Sequence, residues 1–282
     1  MIEIPLNDLP LFDKRIPNLI QDTKMDLLPR ENKDIEREFN KESWGKLLKS
    51  VKELKPSVIS EIDDLYANPK DNIVISIKNK LFHTTQREAY AKLIGIFSEH
   101  LLGIKGEYIH FVEMGCGYGS KIFNLMELPQ FKTKTFSATE FTANGQLLTS
   151  TISKLLGKEI NVGYVDFNAK IADKQSVPDN SVIFTSYSLH YIEELDIEFW
   201  NFIDGFNPKA IVAFEPCFEL YGRETVLGIM QQKYHHENRY TKNITSSLQE
   251  FCNLKNQKLK IIPNVFGLNP LLPISVLIYN PE

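Results

Sequence analysis

A glycine-rich loop and three acidic residues carry most of the chemistry legible in this sequence. In Glu113-Met114-Gly115-Cys116-Gly117-Tyr118-Gly119 the glycines alternate directly after an apolar run, and a helical apolar pattern follows (Ile122, Phe123, Leu125, Met126). Glycine lets a backbone turn sharply and approach a ligand without a clashing Cβ, while free N–H groups at a helix start favour a polar or anionic group. Glu140 lies 25 residues after Gly115, at the end of the next apolar run. A carboxylate there can take both hydroxyls of a ribose in charge-assisted hydrogen bonds. Asp166 follows the third run, beside Phe167, and could accept from an adenine amino group while the ring lies against apolar side chains. Any one of these acids alone is more often a solvated strand end. Together they mark the carboxyl edge of an open α/β sheet, where ligands bind.

The elements that must position these residues follow from hydrophobic periodicity. From Tyr108 onward, short apolar runs alternate with helical stretches, which predicts parallel strands joined by crossover helices. Strands are expected at Tyr108–Glu113, Thr135–Thr139, Val162–Val165, Ser181–Thr185 and Ala210–Phe214, and helices at Ala143–Leu156, Ile197–Phe206, Glu224–His236 and Thr245–Leu254. The chain then closes with Leu259–Gly267 and Ile274–Tyr279, a reverse-turning strand pair. Residues 1–105 carry helix-period patterns instead. Ile35, Phe39, Leu47, Leu48, Val51 and Leu54 recur at spacings of three and four until Pro56, and a second stripe runs through Tyr90, Leu93, Ile94, Phe97 and Leu101. The expected architecture is therefore a Rossmann-like domain over 106–282, mostly parallel with a terminal antiparallel pair, preceded by a helical N-terminal extension and interrupted by a lid insertion at about 218–244.

Composition narrows the function. The chain of 282 residues is 43% apolar and 24% charged with net charge −4, an ordinary globular balance without the basic stripe that a large nucleic-acid surface needs. It shows no run of 18 uncharged apolar residues, and acids occupy the N-terminal stretch where a signal peptide would be basic. A cytoplasmic protein with no membrane and no nucleic-acid partner is expected, with room for a homodimer. Cys116, Cys217 and Cys252 are too few and too scattered for a disulfide framework or a metal cluster, so no metal is expected.

Taken together, EMGCGYG, the acid of ATEF, VDF after the third strand and SVIFTSYSLHYI resemble the class I S-adenosylmethionine-dependent methyltransferases over roughly residues 84–282. The resemblance implies S-adenosylmethionine as cofactor and S-adenosylhomocysteine as product. It puts Glu113, Gly115, Gly117 and Gly119 at the methionine part, Glu140 at the ribose, Asp166 and Phe167 at the adenine, and Ser186 or Tyr187 near the sulfonium. A nicotinamide-dependent oxidoreductase shares Gly115-x-Gly117. The acid before the loop, its place a hundred residues into the chain and the reversed strand pair argue against that reading. An intact set of cofactor-contact residues argues against a fold that has lost catalysis and serves only for binding.

An acceptor that must lose a proton needs a base. His190, just past the fourth strand, is the first candidate, with a packing role as the alternative, and Tyr187 lies beside it. Glu215 could orient a substrate hydroxyl or ammonium, or cap the next helix. His235 and His236 are adjacent, so only one of them would point inward on a helix. Arg87 or Tyr90 could reach the cofactor carboxylate. Residues of the extension are expected to wall the acceptor site, for O- or N-methylation of a small molecule in specialised metabolism or, as the second reading, of a peptide docked on the N-terminal region.

Overall fold

The computed structural model describes residues 1–21, 36–192 and 194–281, so Ile35 of the first helical stripe lies outside the described residues. The chain begins with β1 (Ile2–Ile4) and two short helices, α1 (Leu9–Phe12) and α2 (Arg15–Gln21). A wide-turned π-helical segment, Glu36–Trp44, runs directly into α3 (Gly45–Leu54), and α4 (Ile59–Tyr66) follows. The helical extension expected from the sequence is present, and it also contains a sheet that periodicity did not predict. β2 (Asn72–Ile77) and β3 (Lys80–Thr85) form a hairpin to which β1 adds, all antiparallel. Its two-residue turn, Lys78-Asn79, has φ of 48° and 63°, the doubly left-handed geometry whose twist matches the flanking strands. Helix α5 (Gln86–Leu102) then starts on a capping box made by Thr85 and Glu88.

The second part alternates as the sequence predicts. β4 (His110–Met114), α6 (Ser120–Glu127), β5 (Thr135–Glu140), α7 (Ala143–Leu156) and β6 (Asn161–Asp166) lead to a two-residue strand, β7 (Ile171–Ala172). β8 (Val182–Ser186), α8 (Ile197–Asp204), β9 (Ala210–Pro216), α9 (Val226–Glu237) and α10 (Ile244–Leu254) follow, and β10 (Leu259–Phe266) and β11 (Ile274–Tyr279) end the chain. The eight strands lie in the order β10-β11-β9-β8-β4-β5-β6-β7. β4 is parallel to both β5 and β8, and β11 runs antiparallel between β9 and β10. The strand order reverses between β4 and β8, which opens a crevice at the carboxyl ends of those two strands.

Side chains of successive residues point to opposite faces of the sheet. Phe111, Phe184, Val212 and Phe214 pack under α5 and α6 with Phe97 and Ile122, while Val112, Ile183, Ile211 and Ala213 pack against α8 and α10 with Trp200 and Phe251. The small N-terminal sheet hooks onto the large one through Ser76 and Gly267, whose amides and carbonyls exchange hydrogen bonds of 2.8 and 2.9 Å. Helix α9, within the expected lid, is docked rather than overhanging. Its Leu227, Met230 and Tyr234 share a core with Leu9, Ile16, Leu19, Leu271 and Leu272. Among the described residues no helix is long and apolar enough to cross a membrane.

Phe97 is fully buried and stacks on Phe214 at 4.0 Å between ring centroids. Phe97→Ala should lower the free energy of unfolding by about 3–5 kcal/mol, as for other buried Phe truncations, measured by urea denaturation.

Candidate functional site

The glycine loop is fixed by the strand beside it. Gly115, Gly117 and Gly119 have φ of 77°, 60° and 77°, so each takes a conformation that a side chain disfavours. A Cβ on Gly115 would stand 2.6 Å from Cβ of Ser188, and one on Gly117 would stand 2.9 Å from Cζ2 of Trp44. The amides expected to be free for a ligand are engaged within the protein. Gly115 and Cys116 donate to the Thr139 carbonyl at 2.8 and 3.0 Å, and Gly119 donates to Cys116. Gly117 donates to Glu140 Oε2 at 3.0 Å. The reason is geometric, since β5 continues past the loop and presents its last carbonyl and the Glu140 carboxylate to it. Thr142 adds its amide and hydroxyl to Glu140 Oε1 at 3.0 and 2.8 Å. Three of roughly four acceptor positions on this carboxylate are therefore taken, and one remains.

A cavity of about 690 Å³ opens over the loop. It brings together seven of the residues singled out from the sequence, namely Gly115, Gly117, Glu140, Asp166, Phe167, Ser186 and Tyr187, and Arg87 and Tyr90 line it too. Asp166 accepts from the Ala169 amide at 3.0 Å, and Phe167 packs edge-on against Phe199. Among the described residues the buried Ser186 hydroxyl has no hydrogen-bond partner. Tyr187 has φ of 51°, and burial together with Glu215 pushes its phenol well above the usual range.

Other expected residues lie behind this wall. Glu113 is fully buried, with Lys121 Nζ at 3.6 Å, and Gly119 caps α6. Glu215 and His190 are not on the cavity surface, so neither is placed as the base or substrate-orienting group expected of it. Glu215 accepts from the Ser188 amide at 3.1 Å and from its hydroxyl at 3.2 Å, with His190 Nδ1 at 3.5 Å on its far side. Glu215 thereby ties down the turn after β8, where Ser188 abuts Gly115. Of the two adjacent histidines, His235 points inward to the Thr241 carbonyl at 2.7 Å and His236 is exposed beside Lys242. Burial pushes His235 down to about 4. No residue of 218–244 lines the cavity.

The extension supplies residues that sequence reasoning missed. Trp44, Tyr66 and Tyr118 pack with ring centroids 5.3–5.6 Å apart, and Phe39 joins Trp44 to Tyr191, forming an aromatic wall over the loop. Asp63 on α4 accepts from Tyr118 Oη at 2.9 Å, Ser120 Oγ at 2.6 Å and Asn124 Nδ2 at 2.8 Å, and the Tyr90 hydroxyl is hydrogen-bonded to Ser120. The signal was available in Ile59, Ile62 and Tyr66, spaced three and four apart with acids on the other face.

The fold recurs in solved proteins. The plantazolicin methyltransferase BpumL, solved with a pentazolic analogue and S-adenosylhomocysteine, superposes with a TM-score of 0.50 at 12% identity, over 88% of this chain and 96% of that one. The chain has the fold of the class I S-adenosylmethionine-dependent methyltransferases. Two other solved proteins overlap less fully. The pyocyanin biosynthetic protein PhzM aligns at 14% identity and a TM-score of 0.47 over 68% of this chain and 55% of its own. The small RNA methyltransferase HEN1 aligns at 13% and 0.48 over 71% and 26%. This chain thus spans only part of those two. No family model and no curated protein matches the sequence.

Burial pushes the Glu113 carboxyl up to about 7 despite Lys121. Between about pH 4.5 and 7 the folded protein holds a proton that the unfolded chain has released, so stability falls as pH rises through that window. The loss from this group should reach about 3 kcal/mol. Urea midpoints at pH 4.5 and 7.5 should therefore differ less in Glu113→Gln than in the parent; equal differences would show that Glu113 ionises normally.

Proposed function

We propose that this protein transfers the methyl group of S-adenosylmethionine to an oxygen or nitrogen of a small molecule. One observation carries the reading: a single cavity unites a side-chain-free turn (Gly115, Gly117), a strand-end carboxylate with an acceptor position to spare (Glu140), and an acid–aromatic pair on the next strand (Asp166, Phe167). The buried Ser186 hydroxyl, which has no hydrogen-bond partner among the described residues, fits a polar ligand group arriving beside the loop.

In this reading Glu140 accepts from a ribose hydroxyl, Asp166 accepts from the adenine amino group, and Phe167 covers the ring. Gly115 and Gly117 let the methionine part lie close to the backbone, with Ser186 and Tyr187 near the sulfonium. When bound, the cofactor supplies a methyl carbon that is already electrophilic. The protein's share is to orient an acceptor atom in line with the S–CH₃ bond and to exclude water. The wall of Phe39, Trp44, Tyr66 and Tyr191 suits a flat, apolar acceptor and shields the site. Tyr187 keeps its proton at neutral pH and so serves as a hydrogen-bond partner rather than an anionic base. Glu215 acts by tying down the turn at Ser188, which abuts Gly115, with His190 on its far side. We place the acceptor-selecting unit in residues 1–105 and the cofactor-binding unit in 106–282, with 218–244 as a docked brace between the N-terminal core and the 268–273 loop. A peptide docked on the N-terminal region is the second reading.

Calorimetry should detect S-adenosylhomocysteine binding to the protein, weakened about tenfold by Glu140→Gln, since about 1.4 kcal/mol is tenfold. Binding of NADH in place of S-adenosylhomocysteine would overturn the assignment. Release of S-adenosylhomocysteine with a panel of hydroxylated and amine acceptors, but not with peptides, would select the small-molecule reading.

A further inference from the structure

The charges that line the cavity do not cancel in the same way. Arg87 pairs with Asp64 at 2.6 Å, Lys121 lies against Glu113, and Glu127 is taken by Lys158 at 3.1 Å. Glu140 and Asp166 have the nucleoside roles given above. Asp63 is left. Its three hydrogen bonds come from neutral donors, two on one oxygen and one on the other, and among the described residues no Lys or Arg pairs with it. One acceptor direction of roughly four remains. The carboxylate is half-buried, between the aromatic wall and the start of α6. A carboxylate held out of water without a counter-charge is costly, and a cation arriving at it recovers part of that cost. Trp44, Tyr66 and Tyr118 line the same space, and aromatic rings attract cations. Burial raises the Asp63 pKa, which a bound cation would reverse.

We infer that Asp63 is a binding residue for an ammonium group, one that completes its hydrogen bonding with a charge-assisted contact inside the cavity. This rests on the reading of the cavity as the cofactor and acceptor site. Two ligands could bring that group: the amino-acid end of the cofactor, or a basic acceptor with a flat apolar body. The geometry disfavours an acceptor that delivers a phosphate there, because a second anion would face Asp63 without a cation between them.

The test compares matched ligands that differ in the ammonium alone. For the cofactor arm, calorimetry measures S-adenosylhomocysteine, its desamino analogue and 5′-methylthioadenosine. For the acceptor arm, fluorescence of Trp44 is titrated with 2-naphthylmethylamine, 2-naphthylmethanol and 2-naphthyl phosphate, with Trp44→Phe removing the signal. The proposal expects at least tenfold tighter binding of the ammonium member in one arm, and loss of that advantage in Asp63→Asn while 5′-methylthioadenosine binding stays unchanged. The arm that responds identifies the source. Less than threefold discrimination in both arms of the parent protein sinks the idea without any variant, as does discrimination that survives Asp63→Asn or tighter binding of the phosphate. If no adenosine ligand binds but the amine preference holds and is lost in Asp63→Asn, the transferase reading fails and the ammonium site stands.

Discussion

Three glutamates at the carboxyl ends of central strands, Glu113, Glu140 and Glu215, are almost completely removed from water. Such groups must be paired or hydrogen-bonded, and each is served differently. Glu113 has the Lys121 ammonium, Glu140 has the amides of Gly117 and Thr142, and Glu215 has Ser188 with His190 behind it. These arrangements shape the crevice. Satisfying Glu140 draws the glycine loop across the end of β5, and satisfying Glu215 ties down the turn after β8, where Ser188 abuts Gly115. Because Glu140 keeps one acceptor direction, the same carboxylate that holds the loop can also face a ligand.

The extension completes what the sheet begins. Its π-helical segment and α3 deliver Trp44 to within contact of Gly117, and α4 delivers Asp63 to Tyr118, Ser120 and Asn124. The glycine loop is thereby held from two sides, by strand carboxylates below and by residues more than fifty positions upstream above. A loop so braced has little freedom left to lose when a ligand arrives, which is the physical content of preorganisation. It also couples the two parts of the chain, since displacement of α4 would release Tyr118 and Ser120 from their shared acceptor.

Periodicity made the parallel strands and their helices legible because each face of the sheet is covered and alternate residues diverge to different cores. Ala143–Leu156 and Ile274–Tyr279 fall where the pattern puts them. The β2–β3 hairpin was not legible in the same way. Its run of Ile73, Val74, Ile75 and Ile77 lies in a region dominated by helical stripes, and its register is settled by the turn at Lys78-Asn79 and by the bond between Ser76 and Gly267, nearly two hundred residues apart. Helix α4 carried a readable stripe, but nothing local marks Asp63 rather than Asp64 as the residue that meets the loop.

The sequence by itself determined the strand-ending acids, the positive-φ glycines and the order in which they must occur, because these depend on local backbone geometry and on a period of two. Tertiary structure alone decided which carboxylates face the cavity and which brace it. Glu140 and Glu215 are both strand-end glutamates, yet the reversal of strand order between β4 and β8 puts Glu140 on the rim, while the turn at Tyr187 and Ser188 covers Glu215. Burial and the supply of hydrogen-bond donors separate the two, and both are properties of neighbours that only folding assembles.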